Sequence, residues 1–190
     1  MVALLDLWLP ILLSAVLVFV ASSVIHMVLP IHKVDYRGIP GEAEVLALLR
    51  TKSLEPGGYV FPHCKAMKEM SSPETLEKYR QGPVGFLTVL PNGPPAMGKS
   101  LLQWFFYSVV IGVFVAYLAT LAGLGRGAGF LAVFRLTGTA AILAYAVTQI
   151  PDSIWKGHRW ASTWKFVGDG IAYGLITGAT FGWLWPAATA

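Results

Sequence analysis

Leu101-Leu102-Gln103-Trp104-Phe105-Phe106-Tyr107-Ser108-Val109-Val110-Ile111-Gly112-Val113-Phe114-Val115-Ala116-Tyr117-Leu118-Ala119-Thr120-Leu121-Ala122-Gly123 runs through 23 positions without one formal charge. A helix of about 20 apolar residues crosses the hydrocarbon of a bilayer and bonds its own backbone there. Three further stretches read the same way. One runs from about Leu4 to Leu29, with Asp6 at its edge and Pro10 in its first turns. Another spans Phe130 to Ile150, interrupted only by Arg135, and the last spans Val167 to Trp185 with Asp169 near its start. The expected fold is therefore all-α and transmembrane: a four-helix membrane bundle carrying a small α+β cytoplasmic insertion between the first and second helices.

Composition agrees. Of 190 residues, 55% are hydrophobic and 13% charged, against roughly 25% charged in soluble domains, and mean hydropathy is +0.62. This excludes an ordinary water-soluble enzyme and a disordered chain. A single cysteine excludes an internal disulfide framework and a cysteine-rich metal site. The segment before the first apolar run lacks Lys and Arg, so that run reads as a retained anchor rather than a cleaved signal.

The chain divides into residues 1–30 as transmembrane helix 1, 31–100 as the insertion, and 101–190 as a three-helix region (about 101–123, 130–150 and 167–185). Nine of the fourteen basic residues lie between Pro30 and Ser100, and Lys156, Arg159 and Lys165 follow the third helix. Only Arg126 and Arg135 lie elsewhere. By the positive-inside rule both termini of this multi-pass chain face away from the cytoplasm. The basic residues flank apolar spans, which points to lipid headgroups and not to nucleic acid. In the insertion, Gly41 to Thr51 has helical spacing, Gly58 to Pro62 and Val84 to Leu90 read as short strands, and Ser72 with Pro73 opens a helix through Arg80.

Gly93-Pro94-Pro95-Ala96-Met97-Gly98-Lys99-Ser100 matches the phosphate-loop pattern G-x-x-x-x-G-K-S/T. That loop cradles phosphates with successive backbone N–H groups, and Pro94 and Pro95 have none. The stretch reads as a rigid entry into the second helix, so no nucleotide is expected.

Small residues form stripes. Gly170, Gly174, Gly178 and Gly182 recur every four residues, and Ser108, Gly112 and Ala116 form a similar row on the second helix. Such rows let a second backbone approach closely, either within one bundle or from another membrane subunit. Arg135, Gln149 and Asp169 are the polar candidates inside the spans, because ionisable groups at membrane depth are functional by default. On antiparallel third and fourth helices Arg135 and Asp169 lie roughly 20 Å apart in depth, too far to pair. Asp169 is expected in the first turn of its helix, where the helix dipole favours a carboxylate. His26, His32 and His63 are candidate metal or haem ligands on one side of the membrane, although no known ligand spacing joins them.

The segments Met27 to Tyr36 and Gly93 to Ser100, with Ser153 through Thr180-Phe181-Gly182-Trp183-Leu184-Trp185-Pro186, resemble a group of uncharacterised bacterial four-helix inner-membrane proteins. The resemblance implies that class and brings no activity or cofactor. Three functions stay open. The first is a non-catalytic accessory or assembly subunit of a larger membrane complex, respiratory or photosynthetic, with membrane lipids and other subunits as partners. The second is a small homo-oligomeric transporter or channel with Asp169 and Gln149 facing a shared cavity. The third is a metal- or haem-binding redox protein.

Overall fold

The computed structural model describes residues 2–188 and is mostly helical, with one small two-stranded sheet. The elements in chain order are α1 (Trp8–Ser23), α2 (Glu42–Thr51), β1 (Gly57–Phe61), α3 (Pro73–Gln81), β2 (Gly85–Val89), α4 (Met97–Leu121), α5 (Phe130–Tyr145), α6 (Ile150–Lys156) and α7 (Trp160–Trp183). They fall into two compact units. One comprises Met1–Asp35, Ala96–Ile154 and His158–Ala190; the other comprises Tyr36–Pro95 with Trp155–Gly157.

In the first unit, α5 packs most extensively on α7, α1 packs on both α4 and α7, and α4 packs on α5. Three helical stretches are long and apolar enough to cross a membrane: Leu4–Val28, Met97–Leu121 and Phe130–Lys156. The expected fourth span differs. α7 has 24 residues, but its glycines, threonines, Lys165 and Asp169 leave it less apolar than the other three. It also starts at Trp160 and not near Val167, because Gly157 (φ +69°) ends α6 in the left-handed conformation and the chain turns straight into a new helix. Asp169 therefore lies in the third turn of α7, which removes the helix-dipole account of its position.

The third span is also less regular than its sequence suggests. α5 stops at Tyr145, a 3₁₀ turn covers Val147–Gln149, and α6 resumes at Ile150. Pro151 supplies the reason: it has no N–H for the Val147 carbonyl, and its ring crowds that turn.

Outward faces are apolar, with Leu12, Val16 and Val20 on α1 and Val110, Phe114 and Leu121 on α4 exposed. Inward faces carry small and hydroxyl residues beside the apolar core of Leu7, Val18, Val133 and Phe181. The buried hydroxyls bond to their own helices: Ser14 to the Ile11 carbonyl (3.0 Å), Thr137 to Val133 (2.7 Å) and Thr177 to Tyr173 (2.9 Å). Apolar outside and small inside suits a lipid solvent.

The small-residue stripes work within the chain. A Cβ built on Gly170 would lie 2.5 Å from Cα of Ala146, and one on Gly178 would lie 2.8 Å from Cα of Gly138. Gly174 meets the Ile142 backbone nitrogen at 2.8 Å, and Gly182 meets the Phe130 ring. On α4, Ser108, Gly112 and Ala116 are buried, and a Cβ on Gly112 would lie 3.2 Å from Cγ2 of Ile11.

In the second unit β1 and β2 pair antiparallel, Tyr59 opposite Leu87. α3 opens as expected, with Ser72 accepting from the Thr75 backbone N–H (3.2 Å) and Pro73 in the first turn. Among its described residues none is fully buried, so this unit has no dry core of its own.

Candidate functional site

The last turn of α1 widens into a π-helical turn over Val24–Val28. Leu29 is then extended (φ −79°, ψ 141°), as the following Pro30 requires, and Pro30–His32 forms a 3₁₀ turn. This reversal folds the chain back on itself, so that the His26 and His32 rings lie 4.3 Å apart between centroids, tilted by 32°. Phe166 of α7 covers the His32 ring at 4.9 Å.

α7 supplies the other half. Lys165, Asp169 and Tyr173 recur at intervals of four, which places them on one helix face. Asp169 Oδ2 lies 3.0 Å from His32 Nε2 and 3.6 Å from His26 Nε2. Lys165 does not pair with Asp169. Its Nζ donates to Asp35 Oδ1 (2.8 Å) and to the Ile31 carbonyl (2.8 Å). Asp35 Oδ2 in turn accepts from His32 Nδ1 at 2.6 Å. Arg159 donates to the Val34 carbonyl (3.2 Å), so two cations of α7 and its approach hold residues 31–35 in place.

Burial alone would raise the Asp35 carboxyl, whose side chain is 2% exposed. Hydrogen bonds from Lys165, His32 and Ser162 outweigh that and hold it at about 2. The bond to Asp35 orients the His32 ring and turns Nε2 toward Asp169. His32 Nε2 and Asp169 Oδ2 face each other at 3.0 Å, and neither buried atom has any other hydrogen-bond partner. The Tyr173 hydroxyl is buried and likewise unpartnered.

Beside this cluster is a cavity of about 430 Å³. His26, Asp169, Tyr173, Tyr145 and Gln149 line it together with apolar Met27, Leu101 and Phe166. Trp104 also lines this cavity, donates to Ser22 Oγ (2.8 Å) and packs on Tyr145 and Tyr173.

The sequence-based candidates thus separate. His26, His32 and Asp169 come together, with ligand atoms within 4.8 Å of one another, and Gln149 shares the cavity with His26 and Asp169. Arg135 is exposed on α5 away from them, with no ion pair among the described residues. His63 lies exposed in the second unit, after β1, outside the cluster. Asp35 and Tyr173 were not singled out from sequence. The four-residue spacing of Lys165, Asp169 and Tyr173 was a usable signal for Tyr173; none marked Asp35.

Axial imidazoles of a haem point at each other across the iron from opposite faces of the porphyrin. The His26 and His32 rings lie 4.3 Å apart, tilted by 32°, which leaves no plane between them for a macrocycle, so the two are not placed as an axial pair.

Comparison with known protein families, with curated proteins and with solved structures finds no match to this chain.

Proposed function

We propose that this chain is a multi-pass protein of a bacterial inner membrane, with four membrane helices and both termini outside the cytoplasm. In this reading it binds a small amphiphilic molecule in the cavity between α1, α4, α5 and α7 at their cytoplasmic ends. One observation carries it: Asp169, Tyr173 and His26 share the lining of one cavity whose other side chains are largely apolar and aromatic. Concave, mostly apolar sites with a few converging polar groups are the usual form of ligand sites, and a carboxylate at membrane depth is costly without a task. The polar groups would hold a headgroup oxygen or nitrogen while Leu101, Met27 and Phe166 cover an apolar body.

The test is extraction and mass spectrometry of protein purified in mild detergent, comparing wild type with Leu101→Trp, which fills the cavity. A co-purifying amphiphile present in wild type and lost in the variant, with unchanged elution, supports the reading. Equal content in both refutes it.

A second reading, an accessory subunit of a larger membrane complex, draws on a separate feature. The 36–95 unit has no fully buried residue and exposes Leu48, Met67, Phe86 and Leu90, as a domain completed by a partner would. The glycine stripe of α7 no longer supports it, since α5 occupies that groove. A stoichiometric partner in the same purification would favour this reading.

A further inference from the structure

We infer that His26, His32 and Asp169 form a binding site for a divalent first-row transition ion, of the zinc or ferrous kind, beside the cavity. The inference shares the cavity with the preceding reading but does not depend on any amphiphile being bound there.

The first argument is distance. Ligands about 2.0–2.2 Å from a tetrahedral ion lie about 3.4 Å from one another. Asp169 Oδ2 stands 3.0 Å from His32 Nε2 and 3.6 Å from His26 Nε2, on either side of that value. All three ligand atoms fall within 4.8 Å of one another, so small side-chain adjustments bring them onto one centre.

The second argument is the unsatisfied pair. His32 Nε2 faces an Asp169 carboxyl oxygen at 3.0 Å with no other hydrogen-bond partner on either atom, and Asp169 is only 9% exposed. Two electron-rich atoms held so close in a dry site repel each other unless a cation lies between them.

The third argument is the support behind the ligands. Metal-bound histidines donate their other ring N–H to a carboxylate or carbonyl, which fixes the tautomer and strengthens the ligand. His32 Nδ1 makes that bond to Asp35 at 2.6 Å, and Lys165 holds Asp35 from behind at 2.8 Å. Two imidazoles and one carboxylate leave coordination positions open, as in catalytic rather than structural sites. His26 and Asp169 both line the cavity, so those positions face the place where a ligand would sit. There an ion would act as a Lewis acid toward an oxygen on that ligand.

The experiment uses untagged, full-length protein in mild detergent, stripped with a chelator and titrated with Co²⁺, followed by displacement with Zn²⁺. One Co²⁺ per chain is expected, with a visible absorption band of low-coordinate Co²⁺ that Zn²⁺ abolishes. His26→Ala and Asp169→Asn should each weaken binding at least 100-fold. Asp35→Asn should weaken it 10- to 100-fold while keeping one ion per chain, which is the mark of a supporting residue. His63→Ala and His158→Ala should leave the titration unchanged. If a ligand variant does not fold, the wild-type stoichiometry and band decide the matter. Wild type binding no stoichiometric Co²⁺ or Zn²⁺ would overturn the inference and leave a shared proton as the cation between His32 and Asp169. A band lost in His63→Ala but kept in His26→Ala would overturn it too. Loss of metal binding leaves the amphiphile extraction result untouched, so the two readings fail separately.

Discussion

Replacing Gly178 by alanine adds a single methyl group, and its cost can be worked out beforehand. The new Cβ would lie 2.8 Å from Cα of Gly138 and 3.0 Å from the Phe134 carbonyl oxygen, both backbone atoms of α5. Comfortable contact begins near 3.4 Å, so α5 and α7 must separate by several tenths of an ångström along their closest seam. Overpacking of a fitted interior costs about 1–3 kcal/mol. Alanine also returns about 1 kcal/mol through its higher helix propensity, which leaves a net loss of about 0–2 kcal/mol. Gly168, on the same helix, has nothing within 4 Å of its built Cβ. Gly168→Ala should therefore be neutral or slightly stabilising. The two variants should differ by about 2 kcal/mol, roughly thirty-fold in the unfolding equilibrium. Reversible unfolding in mild detergent, at a dilution where the chain elutes as a monomer, measures the difference. Indistinguishable variants would refute the argument. So would a Gly178→Ala protein that keeps its monomer stability and loses only an oligomer, because the groove would then belong to another subunit.

Other outcomes follow from the same geometry. Gly174→Leu should prevent folding of the α5–α7 pair outright, read as loss of monodisperse protein, because the side chain would run into the Ile142 backbone. Ser22→Ala removes the acceptor for Trp104 Nε1 at 2.8 Å and should cost about 1 kcal/mol of stability, with a shift in tryptophan emission. The Arg126–Asp6 ion pair is about one-third exposed on both sides, so Arg126→Ala should change the unfolding midpoint little, within about 1 kcal/mol. A reporter fused at the C-terminus should be active outside the cytoplasm; cytoplasmic activity would overturn the proposed topology.

Much of the fold was legible in the sequence because its signals are local. Spans such as Leu101–Gly123 declare themselves by length and absence of charge. The two short strands β1 and β2 and the capped start of α3 follow from local residue patterns, whereas the pairing of the strands across α3 does not. Pro151 and Gly157 mark the break after α5 and the early start of α7 once their conformations are seen. Their effect on α7 was misjudged from sequence because hydropathy locates the apolar part of a helix and is blind to a polar first turn.

The site depended on contacts that no local signal encodes. His26 and Asp169 are far apart in sequence, and they meet because α1 packs on α7 at one particular rotation. Arg135 had the same standing as Asp169 on residue type alone, and its exposed position on α5 sets it aside. Asp35 looked like one more polar residue after a helix; the turn at Pro30 and the reach of Lys165 make it the buried partner of His32. The sequence by itself determined that the chain carries helices long and apolar enough to cross a bilayer and roughly where they lie, because apolar length and backbone self-sufficiency are properties of each segment alone. Which ionisable groups share one dry pocket was decided only by the tertiary structure. That depends on how the helices are rotated against one another, and the glycine seam between α5 and α7 sets the rotation through backbone contact.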